Sequence, residues 1–390
     1  MTQVMSLALK YLTHFRLRTA ILVVCLSAVL FLPLAVHLLV AHYHHQMIER
    51  AEATPLVIGA PGSAYDLVLN TLFYKGRIER SLTMRHADAI RASGLAVPVP
   101  LYIRHTAGGH TIVGTTLDYF ERRRLWASRG HLPQTLGDIV LGAGAARRLG
   151  LTVGDKLLSD DEKLYDISSY YPLRMHVVGV LEESGTVDDL AIFADLKTIW
   201  VIDGIGHGHA DARNAGDPTL IQSVRENNLM MSAAVMQYDE ITPNLLDSFH
   251  FHGDPRTFPI TSLIAWPDDA KSATILAARL RVDDDTLVVQ PRKVAEEMMD
   301  IVFLVRRFFD AVFTLVFVST ILLLALVVLL SLRVRQREFE TLHKLGCGRS
   351  TVLAIQTCEL TLLITASAVF AAAAAGIMMW YVIRFGPLTP

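Results

Sequence analysis

Three uninterrupted apolar runs punctuate the chain. Thr19 to Val40, Ala311 to Leu332 and Leu360 to Ile383 contain no Asp, Glu, Lys or Arg. At about 1.5 Å per residue, each run reaches about 33 Å or more, enough to cross a bilayer core of about 30 Å. Soluble core helices of that length keep a polar face. Pro33 interrupts the first run, which membrane helices tolerate. A cleaved signal peptide is the other reading of that run, because Ala51-Glu52-Ala53 resembles a small-x-small cleavage site. The run is longer than a signal core and the site lies well past its end, so a retained span is expected.

Residues 3–17 carry Val4, Leu7, Ala8, Tyr11, Leu12 and Phe15 at spacings of three and four, with Lys10, His14 and Arg16 off the stripe. This pattern predicts an amphipathic helix on the inner membrane surface. Lys10, Arg16 and Arg18 precede the first span without any acid. Arg333, Arg335, Arg337, Lys344 and Arg349 dominate the segment between the second and third. The positive-inside rule puts both on the cytoplasmic side. The expected fold is an α+β membrane protein, with a large α/β extracytoplasmic domain between the first and second of three transmembrane helices. Its parts are an amphipathic helix over 1–18, spans over 19–42, 310–332 and 360–384, and the extracytoplasmic domain over 43–309, which would divide into subdomains near 203–219. A cytoplasmic segment over 333–359 and an extracytoplasmic tail over 385–390 complete it.

Within the middle segment the periodicity changes. Residues 97–105 alternate as a strand, and 110–117 pair with it through Gly108-Gly109. Residues 67–74 form a short apolar segment, and 77–93 have helical charge spacing ending at Gly94. Residues 138–159 read as strand, short helix, turn and strand. Residues 175–183, 232–238, 258–267 and 286–291 read as strands, and 268–281 as a helix opened by Asp268-Asp269. A last helix over 292–309 leads into the second span. Residues 203–219, rich in Gly, His, Asp and Asn, read as a loop.

Of 390 residues, 52% are hydrophobic and 19% charged, and the formal net charge is −2, which gives no support to nucleic-acid binding. The three cysteines, Cys25, Cys347 and Cys358, leave the middle segment without a thiol. No phosphate-binding loop, His-Glu-x-x-His or Gly-x-Ser-x-Gly elbow occurs, so no residue is assigned as catalytic. The 15 histidines include three groups outside the spans: His42, His44 and His45; His207 and His209; His250 and His252. Spacing of two on a strand puts both rings on one face, which suits a metal. Chance pairing in a His-rich chain accounts for the same spacing, and no metal ligand set is assigned. The absence of charge within the three apolar runs argues against an ion or proton path.

The stretch 333–359 reads as a charged helix broken at Gly346-Cys347-Gly348, then a second helix capped by Ser350 or Thr351. A hairpin of this kind between two spans is a lever on which a soluble partner could push. The same charges also serve as an ordinary cytoplasmic loop, and the residues alone do not separate the two. In the third span, Ala366, Ala368 and Ala371 to Ala375 precede Gly376, a small-residue face that permits close helix packing.

Arg337-Glu338-Phe339-Glu340-Thr341-Leu342-His343-Lys344-Leu345-Gly346-Cys347-Gly348-Arg349-Ser350 resembles the R-R-E-I-x-x-L-R-A-L-G-A-S-R pattern of MacB/FtsX-type ABC transporter permeases. Residues 7–24 resemble the N-terminal elbow of that family. DIVLGAGAARRLGLTVGDKL and MHVVGVLEESGTVDDLAIFADLKTIW resemble blocks of its periplasmic core domain. Glu359 falls where the family often opens its next span with Glu. The resemblance implies a non-catalytic permease subunit of the bacterial inner membrane, with a cytoplasmic N-terminus and a periplasmic C-terminus. It would be driven by a dimer of a separate ATPase that holds ATP and Mg, with no cofactor in this chain. Arg337, Glu338, Leu342, Leu345, Gly346 and Arg349 would contact the ATPase. Ala368, Ala372 and Gly376 would pack against a second permease copy or a different permease, since the family normally carries one span more. Mechanotransmission to the periplasmic domain would serve export or extraction of a lipophilic or peptide-like substrate. Membrane lipid and a periplasmic adaptor or substrate protein are further implied partners. An FtsX-like regulator that moves a periplasmic partner without transport is the alternative.

Overall fold

The computed structural model describes residues 2–160, 172–208, 221–225, 228–231, 240–334, 344 and 348–385. The strand expected over 232–238 lies outside these residues. The chain divides into two units, residues 1–45 with 298–387 and residues 46–297.

The first unit is helical. Helix α1 (Thr2–His14) is followed at Arg16 by α2 (Arg16–Glu52). At the junction the Thr19 hydroxyl donates to the Leu12 carbonyl at 3.0 Å. On α1, Ala8 is fully buried while Leu7 and Phe15 lie half exposed, in keeping with an apolar stripe shared between protein and lipid. Pro33 is carried inside α2 without ending it.

In the second unit the chain runs through β1 (Leu56–Gly59), α3 (Ala64–Phe73), β2 (Leu82–Thr83), α4 (Met84–Ser93), β3 (Ala96–Ala107), β4 (His110–Thr115), α5 (Leu117–Arg123) and β5 (Ala127–Gly130). It continues through β6 (Asp138–Leu141), α6 (Ala143–Leu149), β7 (Lys156–Leu158), β8 (Arg174–Leu181), β9 (Ile192–Asp195), α7 (Leu196–Ile202) and β10 (Gly206–Gly208). After β11 (Ile221–Arg225), β12 (Asn228–Met231), β13 (Phe249–Phe251), β14 (Pro259–Ile260), β15 (Ser262–Pro267), α8 (Ala270–Leu280) and β16 (Leu287–Val289) comes the long α9 (Pro291–Val334). The third apolar helix spans Arg349–Phe385.

Ten strands form one mixed sheet in the order β16-β1-β15-β3-β4-β9-β6-β8-β5, with β7 also on β8. The β4–β9 and β6–β8 pairs are parallel and the others antiparallel. Strand β3 sits at the centre of the sheet despite Pro98 and Pro100. Leu101 and Ile103 bond towards Thr261 beside β15, so residues 98 and 100 face the other side, where pairing with β4 begins only at Tyr102. The missing N–H groups therefore break no ladder. The β3–β4 turn uses Gly108 and Gly109 with φ of +56° and +75°, the left-handed conformation a tight hairpin needs.

Several elements end differently from the sequence pattern. The helix expected over 77–93 starts at Met84, because Thr83 and His86 form a reciprocal cap. Residues 206–208 of the expected loop are a strand, paired with β13. The short helix from Ser350 and the span from Leu360 are one continuous helix, Arg349–Phe385. Helix α2 runs to Glu52, beyond the apolar run that identified it.

Among the described residues three helices, within Arg16–Glu52, Pro291–Leu330 and Ser350–Ile383, are long and apolar enough to cross a membrane. Leu322 and Leu326 on α9 are about two-thirds exposed. In water such a surface would be a large liability, whereas in lipid it is the expected one. The chain is a multi-pass membrane protein.

Candidate functional site at the roots of the apolar helices

The charged end of α2 enters the second unit and is fixed there by a buried ion pair. Arg50 and Asp188 are both almost fully buried. The Arg50 guanidinium donates in bidentate fashion, Nη1 to Oδ2 at 2.7 Å and Nη2 to Oδ1 at 2.8 Å. Its Nε donates to the Leu72 carbonyl. Two phenols complete the site. The Tyr119 hydroxyl donates to Asp188 Oδ1 at 3.1 Å, the Tyr74 hydroxyl bonds to the same oxygen, and the two phenol oxygens lie 2.7 Å apart. Tyr74 is delivered by an unusual backbone: it caps α3 in the left-handed conformation at φ 58°. That conformation is uncommon for a residue with a side chain, and the ring it places here occupies the centre of the network.

Asp188 comes from the 3-10 turn Val187–Leu190, which rests on the start of α6. A Cβ on Gly142 would lie 2.3 Å from the Asp188 carbonyl oxygen, and one on Gly144 3.0 Å from that of Asp189. The neighbouring Asp189 folds back on its own loop, accepting from the backbone N–H of Ser184 at 2.8 Å and of Gly185 at 2.8 Å. The V-L-G-A-G block and the V-D-D-L block are therefore two halves of one joint.

Burial alone would raise the Asp188 pKa, but the charge and hydrogen bonds of Arg50 outweigh it and hold the carboxyl well below the usual carboxylate range. Burial, reinforced by the Asp188 charge, pushes both Tyr74 and Tyr119 above the ordinary phenol value. The site is thus a fixed cation, a fixed anion and two neutral hydroxyls. It holds no group poised near neutral pH for proton transfer.

The root of α9 lies beside that of α2. Arg292 pairs with Glu52 at 3.0 Å and with Glu296 at 2.9 Å, and Tyr65 on α3 donates to Glu297 at 3.0 Å. Val294 and Ala295 are buried. Both apolar helices thus run on as helix into the α/β unit, where the exposed Arg292–Glu52 pair bridges their ends.

Of the residues predicted to contact an ATPase, Arg337, Glu338, Leu342, Leu345 and Gly346 lie outside the described residues, and Arg349 opens the third helix. Ala368, Ala372 and Gly376 are all exposed on that helix. The side buried within the helical unit is the adjacent stripe Ser367, Ala371 and Ala375, where the Ser27 hydroxyl donates to the Ser367 carbonyl at 3.1 Å. Sequence patterning did not single out Arg50, Asp188, Tyr74 or Tyr119. The one local signal for them is the Asp188-Asp189 pair set between apolar runs, since acids in such a setting need buried partners.

Structural neighbours of the chain include the periplasmic region of MacB from Actinobacillus actinomycetemcomitans. It has a TM-score of 0.37 at 11% identity, over 65% of this chain and 97% of that one. Another is the extracellular domain of the noncanonic ABC-type transporter YknZ from Gram-positive bacteria, with a TM-score of 0.33 at 11% identity, over 60% of this chain and 99% of that one. No family model matches the sequence, and no curated protein matches it.

Proposed function

We propose that the chain is the permease subunit of an ABC transporter, in which a separate cytoplasmic ATPase drives movement of an extracytoplasmic α/β domain. The observation that carries this reading is the continuity of α2 and α9 from apolar span into folded domain, with Arg50–Asp188 and Arg292–Glu52 tying both roots. A helix that continues from span to domain without an intervening loop, as α9 does and as α2 does through Pro33, gives displacement a covalent path. A root fixed by a buried bidentate pair passes it into the sheet instead of dissipating it in a loop. The sequence blocks at 7–24, 138–157 and 337–350 support the same reading, and charge bias supports cytoplasmic placement of residues 1–18 and 333–359. The substrate class this machinery would serve is lipophilic or peptide-like.

Two experiments test it. In intact cells, a cysteine placed by Asp160→Cys in a Cys-free background is expected to react with an impermeant thiol reagent, and one placed by Lys344→Cys to be shielded. Labelling of both, or of Lys344→Cys alone, removes the lever. Second, the full chain is expected to co-purify with its ATPase, and Leu345→Asp and Glu338→Arg are each expected to reduce recovery at least about tenfold, the loss that about 1.4 kcal/mol of binding energy produces. Undiminished recovery in both variants contradicts the assignment of 337–349 as the docking segment.

A further inference from the structure

The short sheet of β10 and β13 has two faces of opposite chemistry. Its register pairs Gly206 with Phe251, His207 with His250 and Gly208 with Phe249. On one face the Phe249 and Phe251 rings lie over glycines, so close that a Cβ at Gly206 would fall 2.6 Å from the Phe251 ring and one at Gly208 2.7 Å from that of Phe249. That face joins the core through Phe258, whose ring centroid is 6.0 Å from Phe251 and 5.0 Å from Trp200. Alternation then obliges His207, His250 and His252 to share the opposite face. The His252 N–H donates to the Ile205 carbonyl at 3.1 Å, just past the C-terminus of α7, so the third histidine is held in register.

The three rings form a triangle with centroids 4.8 to 5.0 Å apart. One nitrogen from each lies within 4.8 Å of the others, and the Nε2 atoms of His207 and His252 are 3.3 Å apart. Two nitrogens bound to one tetrahedral zinc at about 2.0–2.1 Å stand about 3.3–3.4 Å from each other. The backbone that carries the rings is anchored on its aromatic side, and the His207–His252 pair already stands at the separation that an ion between them requires.

We infer that His207, His250 and His252 bind a divalent transition-metal ion of the zinc class. An all-imidazole set selects this class over Mg2+ or Ca2+, which prefer oxygen ligands. His250 and His252 are exposed, which leaves a fourth position open to water or to a donor from a partner. The inference does not depend on the permease reading.

The test uses the full chain in detergent, stripped of metal, and ZnCl2 alone as the probe in calorimetric titration, with MgCl2 as control. One Zn2+ per chain is expected at a site lost in the His207→Gln/His250→Gln/His252→Gln variant and kept in His44→Gln/His45→Gln. Metal-free melting of the triple variant is expected to match that of the unsubstituted chain, because two of the three rings face solvent. Co2+ in the unsubstituted chain is expected to give the visible d–d bands of a four- or five-coordinate ion, a readout that needs no variant. Equal Zn2+ binding in the triple variant, no Zn2+ heat in the unsubstituted chain, or an octahedral Co2+ spectrum would each overturn the site and leave the triangle as packed imidazoles.

Discussion

Asp188→Asn is expected to destabilise the α/β unit by about 3–5 kcal/mol, the cost typical of leaving one member of a buried ion pair without its partner. Arg50 would keep its charge in a site that is 7% exposed, facing an amide that can accept at one oxygen only. Arg50→Met reverses the problem and strands the carboxylate, with a loss of similar size. Arg50→Met/Asp188→Leu together remove both charges and are expected to be milder than either single change, because the desolvation of two ions is removed along with their attraction. A double-mutant cycle on the melting of the full chain in detergent reads the coupling. A cycle with near-additive losses would mean that the pair does not act as a unit. The pH dependence has a definite sign. The Asp188 carboxyl is held below its ordinary value in the folded chain, so its contribution is complete at neutral pH. It begins to fall only as the pH drops below the unfolded carboxylate value of about 3.9, and it continues to fall towards the folded one. The gap in stability between the parent chain and Asp188→Asn should therefore be flat from neutral pH to about 4 and narrow only in stronger acid.

Elements set by local pattern were legible in the residues, and those set by distant pairing were not. The hairpin through Gly108-Gly109, the strand–helix–turn–strand unit over 138–158 and the helix capped by Asp269 each follow from turn chemistry or periodicity within about twenty residues, and each is present. The order of the sheet was not legible, because β1 joins β15 and β16 from the far end of the domain and no local signal chooses those partners. The same holds for Arg50 and Asp188, which lie 138 positions apart. Arg50 looked like one more charge after a membrane span. Only its helical continuation into the domain brings it under Leu72 and beside Asp188. The β10 strand was hidden for a different reason: its glycines, which suggest a loop, are there to admit two phenylalanine rings across the strand pair.

Gly142→Ala is expected to reproduce much of the Asp188 phenotype without changing any side chain of the ion-pair network. Gly142 has φ −60°, a conformation alanine adopts freely, so torsion offers no reason for glycine. Space does. The added Cβ would meet the Asp188 carbonyl oxygen at 2.3 Å and the Asp189 carbonyl carbon at 2.5 Å. These are backbone atoms, which cannot swing aside as a side-chain tip would. The 3-10 turn must move as a body, and with it the carboxylate that holds Arg50. A loss of about 1–3 kcal/mol is the usual cost of overpacking, and breakage of the ion pair would add to it. Gly150→Ala on the other end of α6 is the control: its φ is +67° and nothing lies within 4 Å of an added methyl, so it is expected to lose only the about 1 kcal/mol of a left-handed residue that gains a side chain. If the two glycines differ for the reason given, combining Gly142→Ala with Asp188→Asn should cost clearly less than the sum of the singles, since the first change already displaces the group that the second neutralises. Additive losses would instead place the clash and the ion pair in independent parts of the domain, and the root of α2 would no longer be a single joint.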